Sequence, residues 1–218
     1  MLFLRIVPFI GAVISLVLAI VFAVLVRKKN RGTQRMIEIS DAISIGSRAY
    51  LNQQAKIMVL FFVVLEILFG VMVFFKYLEW PSLPAFATGM GFSLLIGYIG
   101  MWISTTSNSR VTFAAQKKGL GEAMNIAFTA AASAGLLLGT VALFDTAFWF
   151  NILYWYYGKS ILNPIASMES VVNILITFTI GASFAAFFMR TGGGIFTKAA
   201  DMGADYVGKV ESGLDEDD

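Results

Sequence analysis

The 218-residue chain has no cysteine, no histidine and only four prolines, and just 14% of its residues are charged. Without cysteine there is no disulfide framework and no thiolate metal site, and cysteine usage gives no clue to redox compartment. Without histidine, imidazole-held metals, histidine-ligated haem and Ser–His catalysis are excluded within these residues. A net charge of +2 implies no nucleic-acid partner. Soluble chains are roughly a quarter charged. Apolar residues fill the deficit here: 58% of positions are hydrophobic and the mean hydropathy is +0.77. The composition is that of an integral membrane protein in contact with a lipid bilayer.

Five apolar segments are long enough to span, at about 20 residues per crossing. They are 2–26, 57–78, 84–106, 124–150 and 164–189. The first is too long for the apolar core of a signal peptide, and a charged cluster follows it where a cleavage site would stand. The expected fold is an all-α, polytopic helix bundle with short loops. Residues 37–56 read as a semi-polar helix running into the second span. The stretch after Phe196 holds no helix breaker and reads as a continuation of the fifth.

Orientation follows from the basic residues. Arg27, Lys28, Lys29, Arg31, Arg35, Arg48 and Lys56 follow span one; Arg110, Lys117 and Lys118 follow span three; Arg190, Lys198 and Lys209 follow span five. Only Arg5, Lys76 and Lys159 fall on the other side. The positive-inside rule makes the richer side cytoplasmic and puts the N-terminus outside. Trp149, Tyr154, Trp155, Tyr156 and Tyr157 are expected to form an aromatic belt at the outer interface.

The division expected is therefore 1–190 within the membrane and 191–218 as a cytoplasmic continuation. The stretch MRTGGGIFTKAADMGADYVGKVES, from Met189, leads into that continuation. On a helix, Lys198, Asp201, Asp205 and Lys209 share an arc of about 80°. Arg190 lies at the stripe's edge, roughly 12 Å nearer the membrane. Glu211 falls off the stripe unless the helix ends or bends first. Two carboxylates at i and i+4 repel by a few tenths of a kcal/mol on a bare helix. A divalent cation reverses that sign, and Mg²⁺ typically takes one or two carboxylates plus phosphate oxygens. Flanking lysines would neutralise the remaining phosphate charge. Alternating charges also suit a plain solvated helix end, and the residue types leave both readings open. The segment is no P-loop, because GGGIFTK lacks the four-residue spacer and its Thr precedes its Lys.

The stretch from Arg190 to Glu211 resembles the first pyrophosphate-binding motif of the membrane-bound, ion-pumping pyrophosphatases. The family pattern is Arg-x-Gly-Gly-Gly-Ile-(Tyr/Phe)-Thr-Lys-Ala-Ala-Asp-x-Gly-Ala-Asp-x-Val-Gly-Lys-Val-Glu, and every fixed position is present. GSRAYLNQQAKI (46–57) resembles the first cytoplasmic segment, departing at Ser47, Gln53 and Ala55, where Ala, Arg and Tyr are usual. GYIGMWISTTSNSR (97–110) and IGASFAAFFMR (180–190) resemble the ends of the third and fifth helices.

The resemblance implies hydrolysis of pyrophosphate on the cytoplasmic side, coupled to outward pumping of H⁺ or Na⁺. It implies Mg²⁺ as cofactor, K⁺ as a further candidate, a homodimer, and the plasma membrane of a prokaryote. Lys198 and Lys209 would bind pyrophosphate. Asp201, Asp205, Glu211 and Glu216 would serve the Mg²⁺ site. Arg190 would belong to the ion gate. Asp215 stands where proline is common. The family's second acidic motif, which positions the attacking water, follows shortly after the point where this chain ends. No catalytic residue is therefore expected within these residues. They read as an N-terminal part, inactive alone. The alternative is a non-catalytic membrane module or a partner subunit of a full-length pump; a five-helix channel is weaker, since no filter-like sequence is present.

Glu66 lies alone among apolar residues and reads as a protonated or hydrogen-bonded packing residue. Asp145 and Glu169 read as near the outer interface and in reach of water. Asn108 and Arg110 read as capping and lipid-anchoring groups.

Overall fold

The structure, a computed structural model, describes residues 2–157 and 164–213, with side chains described from 5 to 157 and from 168 to 213. Five helices account for it: α1 Leu2–Arg27, α2 Gln34–Phe74, α3 Ser82–Lys118, α4 Leu120–Tyr157 and α5 Pro164–Val207, followed by a π-helical turn, Gly208–Ser212. All five are long and apolar enough to cross a membrane. The chain is an all-α, multi-pass membrane protein.

The scarce prolines explain part of this regularity. Pro81, Pro84 and Pro164 sit at or just before the first turn of a helix, where a missing N–H costs nothing; only Pro8 lies within one. Thr33 caps α2 by accepting the Met36 N–H at 3.4 Å. The link from α3 to α4 is the single residue Gly119, whose φ of 86° is open to glycine but not to ordinary side chains.

Helix length places what lies outside the bilayer. α2 has 41 residues and α5 has 44. At 1.5 Å per residue they reach about 60 and 65 Å, twice a hydrocarbon core of about 30 Å. The semi-polar start of α2 and the charged end of α5 are the parts that project. Both continuous helices agree with the expectation from sequence.

α3 is the hub, packed against all four other helices, while α1 packs chiefly on α4 and, among the described residues, makes no contact with α2. Lipid tails are as apolar as leucine, so close packing and hydrogen bonds must hold these helices together. Small residues permit it where α3 crosses α5. A Cβ on Gly89 would strike the Phe178 carbonyl, and one on Gly181 would strike the Phe86 carbonyl. Along α1 and α4, Ser15 donates to the Leu136 carbonyl at 2.7 Å and Ser133 to the Ala19 carbonyl at 2.8 Å. The outward faces of α1 and α2 are apolar and exposed, as lipid contact requires.

Two expectations change. Trp149 does not join an interfacial belt. It is buried with Ala85, Leu153, Val171, Ile174 and Phe178, and its indole N–H donates to Thr88 at 2.8 Å. Trp155 and Tyr156 are exposed, as expected. Arg110 is buried instead of anchoring in lipid. Its guanidinium donates to the carbonyls of Lys29 at 3.2 Å and Arg27 at 3.3 Å, and to Thr106 of its own helix. It caps the end of α1, whose last carbonyls have no partner within that helix. Glu66 is half-buried, with one oxygen shielded and unpartnered.

Candidate functional site

The candidate site is the last four turns of α5. The helix is held by its neighbours up to Phe196 and bare beyond it. Gly97 of α3 lies under Met189 so closely that a Cβ there would overlap the thioether. From α2, Gln54 donates its amide to the Phe188 carbonyl, and the Phe61 ring lies 5.3 Å from that of Phe188. About two turns on along α5, Tyr50 meets Phe196 with ring centroids 6.0 Å apart. Gly192 is buried against the Gln54 amide, with no room for a Cβ. The first glycine of the triplet therefore serves helix packing. Gly193 and Gly194 have open space around them.

The triplet does not interrupt the helix. α5 runs through it, so Lys198, Asp201 and Asp205 keep the α-helical phase expected of them. All three are exposed, and the Lys198 ammonium stands 3.8 Å from Asp201. That separation exceeds a hydrogen bond, so the carboxylate keeps its oxygens available. Asp205 lies one turn further along the same side.

Lys209 does not extend the α stripe. The winding changes at Gly208, where the π turn begins, and ends at Gly213, whose φ of 66° is left-handed and whose N–H reaches back to the Gly208 carbonyl. Wide turns of this kind are frequent at functional sites. Lys209 and Glu211 both lie in it and are exposed. This is the bend that the position of Glu211 requires if it is to rejoin the stripe. Arg190 is exposed at the packed part of α5, two turns before Lys198. Glu216 lies outside the described residues.

The structure thus brings Lys198, Asp201 and Asp205 onto one projecting face. It does not bring a third carboxylate to them: among the described residues no group of three or more acidic side chains could hold a metal. Two exposed carboxylates without nitrogen or sulfur donors fit a hard, oxygen-seeking ion that completes its shell from phosphate or water. Sequence reasoning missed Gln54. Its signal was the last of three consecutive amides, Asn52, Gln53 and Gln54, opposite a run of glycines, legible only once α2 and α5 are known to touch.

A model of the family described as inorganic H⁺ pyrophosphatase matches residues 13–218. A protein of Bacteroides thetaiotaomicron, named as a K(+)-stimulated pyrophosphate-energized sodium pump, is 39% identical over 96% of this chain. K(+)-insensitive pyrophosphate-energized proton pumps of Methanosarcina mazei and Pyrobaculum aerophilum are 39% and 37% identical, over 96% and 94% of it. The chain spans 27–28% of the length of these relatives.

Proposed function

Because the chain belongs to the inorganic H⁺ pyrophosphatase family, we propose that it forms part of a membrane pump that hydrolyses pyrophosphate and moves H⁺ or Na⁺ outward. The observation that supports this best is the projecting end of α5, where Lys198, Asp201 and Asp205 share a solvent-facing side beyond the last helix packed on it. Asp201 and Asp205 would hold Mg²⁺, which supplies charge neutralisation at the phosphate oxygens. Lys198 and Lys209 would bind pyrophosphate directly, and Glu211 and Glu216 would support the metal. Arg190 would act at the ion gate, where the helix enters the bilayer.

By the positive-inside rule this face would lie in the cytoplasm and the N-terminus outside. Residues 1–190 would then form the membrane part and 191–218 the binding extension, in a prokaryotic plasma membrane and as a homodimer. A relative named as a sodium pump and one named as a proton pump match at the same identity, so the proposal covers either cation and either response to K⁺. One face of a helix is one wall of a site. The rest of the length found in the relatives would supply the others, so the 218 residues alone are expected to be inactive.

The test is Asp201→Ala in the protein at its natural full length, assayed for Mg²⁺-dependent pyrophosphate hydrolysis. The rate should fall by more than the 10- to 100-fold, roughly, that follows loss of a residue supporting a metal ligand. An unchanged rate would overturn the assignment.

A further inference from the structure

Away from the α5 end, Asp145 and Arg48 are opposite cases. Asp145, expected in reach of water, is fully buried, with neither carboxylate oxygen partnered among the described residues. It is shut in and offers nothing to a ligand. Arg48 of α2 is exposed, and no acidic side chain pairs with it among the described residues.

Arg48 lines a cleft of about 250 Å³ between α2 and α3, with Asn52 one turn along its own helix. Tyr98 and Trp102, again one turn apart, line it from α3. Ser40 meets Thr105 and Asn52 meets Tyr98, so the two helices run antiparallel and Arg48 lies level with Trp102. The hydroxyls of Ser47 and Thr105 are buried and spent on the carbonyls of Ser44 and Met101. The Asn52 side-chain oxygen accepts from the Tyr98 hydroxyl at 3.0 Å. Three exposed groups are left without a partner among the described residues: the Arg48 guanidinium, the Asn52 NH₂ and the Trp102 indole N–H. All three are donors.

No acidic side chain lines the cleft. Nearer the start of α2, Asp41 is engaged by Arg31 and Glu38 by Arg35. Arg27, at the end of α1, lies over the Trp102 ring at 5.5 Å and adds a second positive charge. Unused donors beside two arginines fit a phosphate, which a guanidinium grips with parallel N–H groups. A headgroup carrying its own ammonium would find no carboxylate here. The indole, which might otherwise attract that cation, already holds Arg27. The ligand is therefore anionic overall.

Depth identifies its source. Trp102 stands near the end of the apolar run 84–106, where tryptophan marks the membrane–water interface. Leu95, seven residues earlier on the same face of α3, is exposed. α1 and α2 both pack on α3 yet share no contact among the described residues. We infer that this cleft binds one anionic phospholipid, its phosphate on Arg48, Asn52 and the Trp102 N–H, and an acyl chain along Leu95 between α1 and α2. The site lies away from the helix end that would bind pyrophosphate and does not depend on that reading.

The experiment is photocrosslinking of the protein at its natural full length in phosphatidylcholine vesicles. The probe is phosphatidylglycerol with a diazirine on its acyl chain near the glycerol, compared with phosphatidylcholine carrying the same group. Labelled peptides are mapped by mass spectrometry. The phosphatidylglycerol probe should label residues 46–56 and 95–105 in preference, by roughly fivefold for each arginine engaged. Arg48→Gln should cut that labelling roughly fivefold, and Arg48→Lys should restore part of it. Labelling along the exposed face of α1 should not change between these variants, and excess inorganic phosphate should not compete. Equal labelling by the two probes would overturn the site in favour of unselective lipid contact. Absence of labelling by either would mean that another part of the full-length chain covers the cleft, and the site would fall. Displacement by inorganic phosphate would replace the lipid with a free anion. Selective labelling that survives Arg48→Gln would also refute the assignment. None of these results bears on pyrophosphate hydrolysis, which Asp201→Ala tests separately.

Discussion

Gln54 of α2 donates its side-chain amide to the carbonyl of Phe188 in α5. That carbonyl is also the one that the Gly192 N–H faces in a regular α-helix. The amide occupies the space where a Cβ of residue 192 would stand. The projecting end of α5 is thus clamped to α2 six residues, about 9 Å, before Lys198.

Gly192→Ala should push the Gln54 amide off the Phe188 carbonyl and destabilise the protein by about 0.5–1.5 kcal/mol, the usual worth of such a hydrogen bond. Gln54→Ala removes the same bond, so the double variant should lose little more than either single variant. Thermal unfolding of the two single variants and the double gives the coupling. Simple additivity would mean that the loss arises elsewhere.

Lys198 and Asp201 form an exposed pair, 73% and 64% accessible. Exposed pairs contribute roughly 0–1 kcal/mol. Lys198→Ala should therefore leave the unfolding temperature nearly unchanged. In the full-length protein it should lower kcat/KM for pyrophosphate by about ten- to a hundredfold, the equivalent of about 1.4–2.7 kcal/mol. A large loss of stability with unaltered kinetics would mark the lysine as structural.

The hydroxyl bonds between α1 and α4 are a cleaner measure of helix association. Ser133→Ala removes the 2.8 Å bond to the Ala19 carbonyl. Such bonds are worth about 0.6–2 kcal/mol within a membrane. Ser15→Ala, at the Leu136 carbonyl, should cost a similar amount. Steric-trap or denaturant unfolding in micelles would read both losses.

Arg110→Lys should fail to replace arginine. A guanidinium spreads five N–H donors over a plane and reaches three carbonyls here, whereas an ammonium is a point charge. The variant should fray the end of α1 and raise proteolytic cutting between α1 and α2. Cutting at the parental rate would mean that the α1 terminus holds without this cap.

Much of this was legible in the sequence because membranes impose a coarse rule. Apolar runs of sufficient length had to be helices, and the polar stretches on α2 and α5 contained no breaker to stop them. The charged face of α5 was legible too, since it depends only on the 100° step. What stayed hidden required knowing which helix touches which. Arg110 looked like a lipid anchor because nothing in its neighbourhood names Arg27 and Lys29 as acceptors. Trp149 looked interfacial because five aromatic residues follow it within the next eight positions, yet its helical phase turns it toward Ala85 and Phe178. The π turn at Gly208–Ser212 was beyond a reading that assumes one winding throughout.

The central place of α3 bears on how the protein is made. α2 follows α1 in the chain, yet the two share no contact among the described residues, and the chief partner of α1 is α4. The first two helices must therefore stand in the lipid as strangers until the third arrives to receive the second. The first waits longer for its chief partner, through the synthesis of one further helix. Errors of insertion in α3 should accordingly leave α2 without its chief partner and exposed to membrane quality control, whereas an equal error in α5 would leave the packing among α1, α2, α3 and α4 in place.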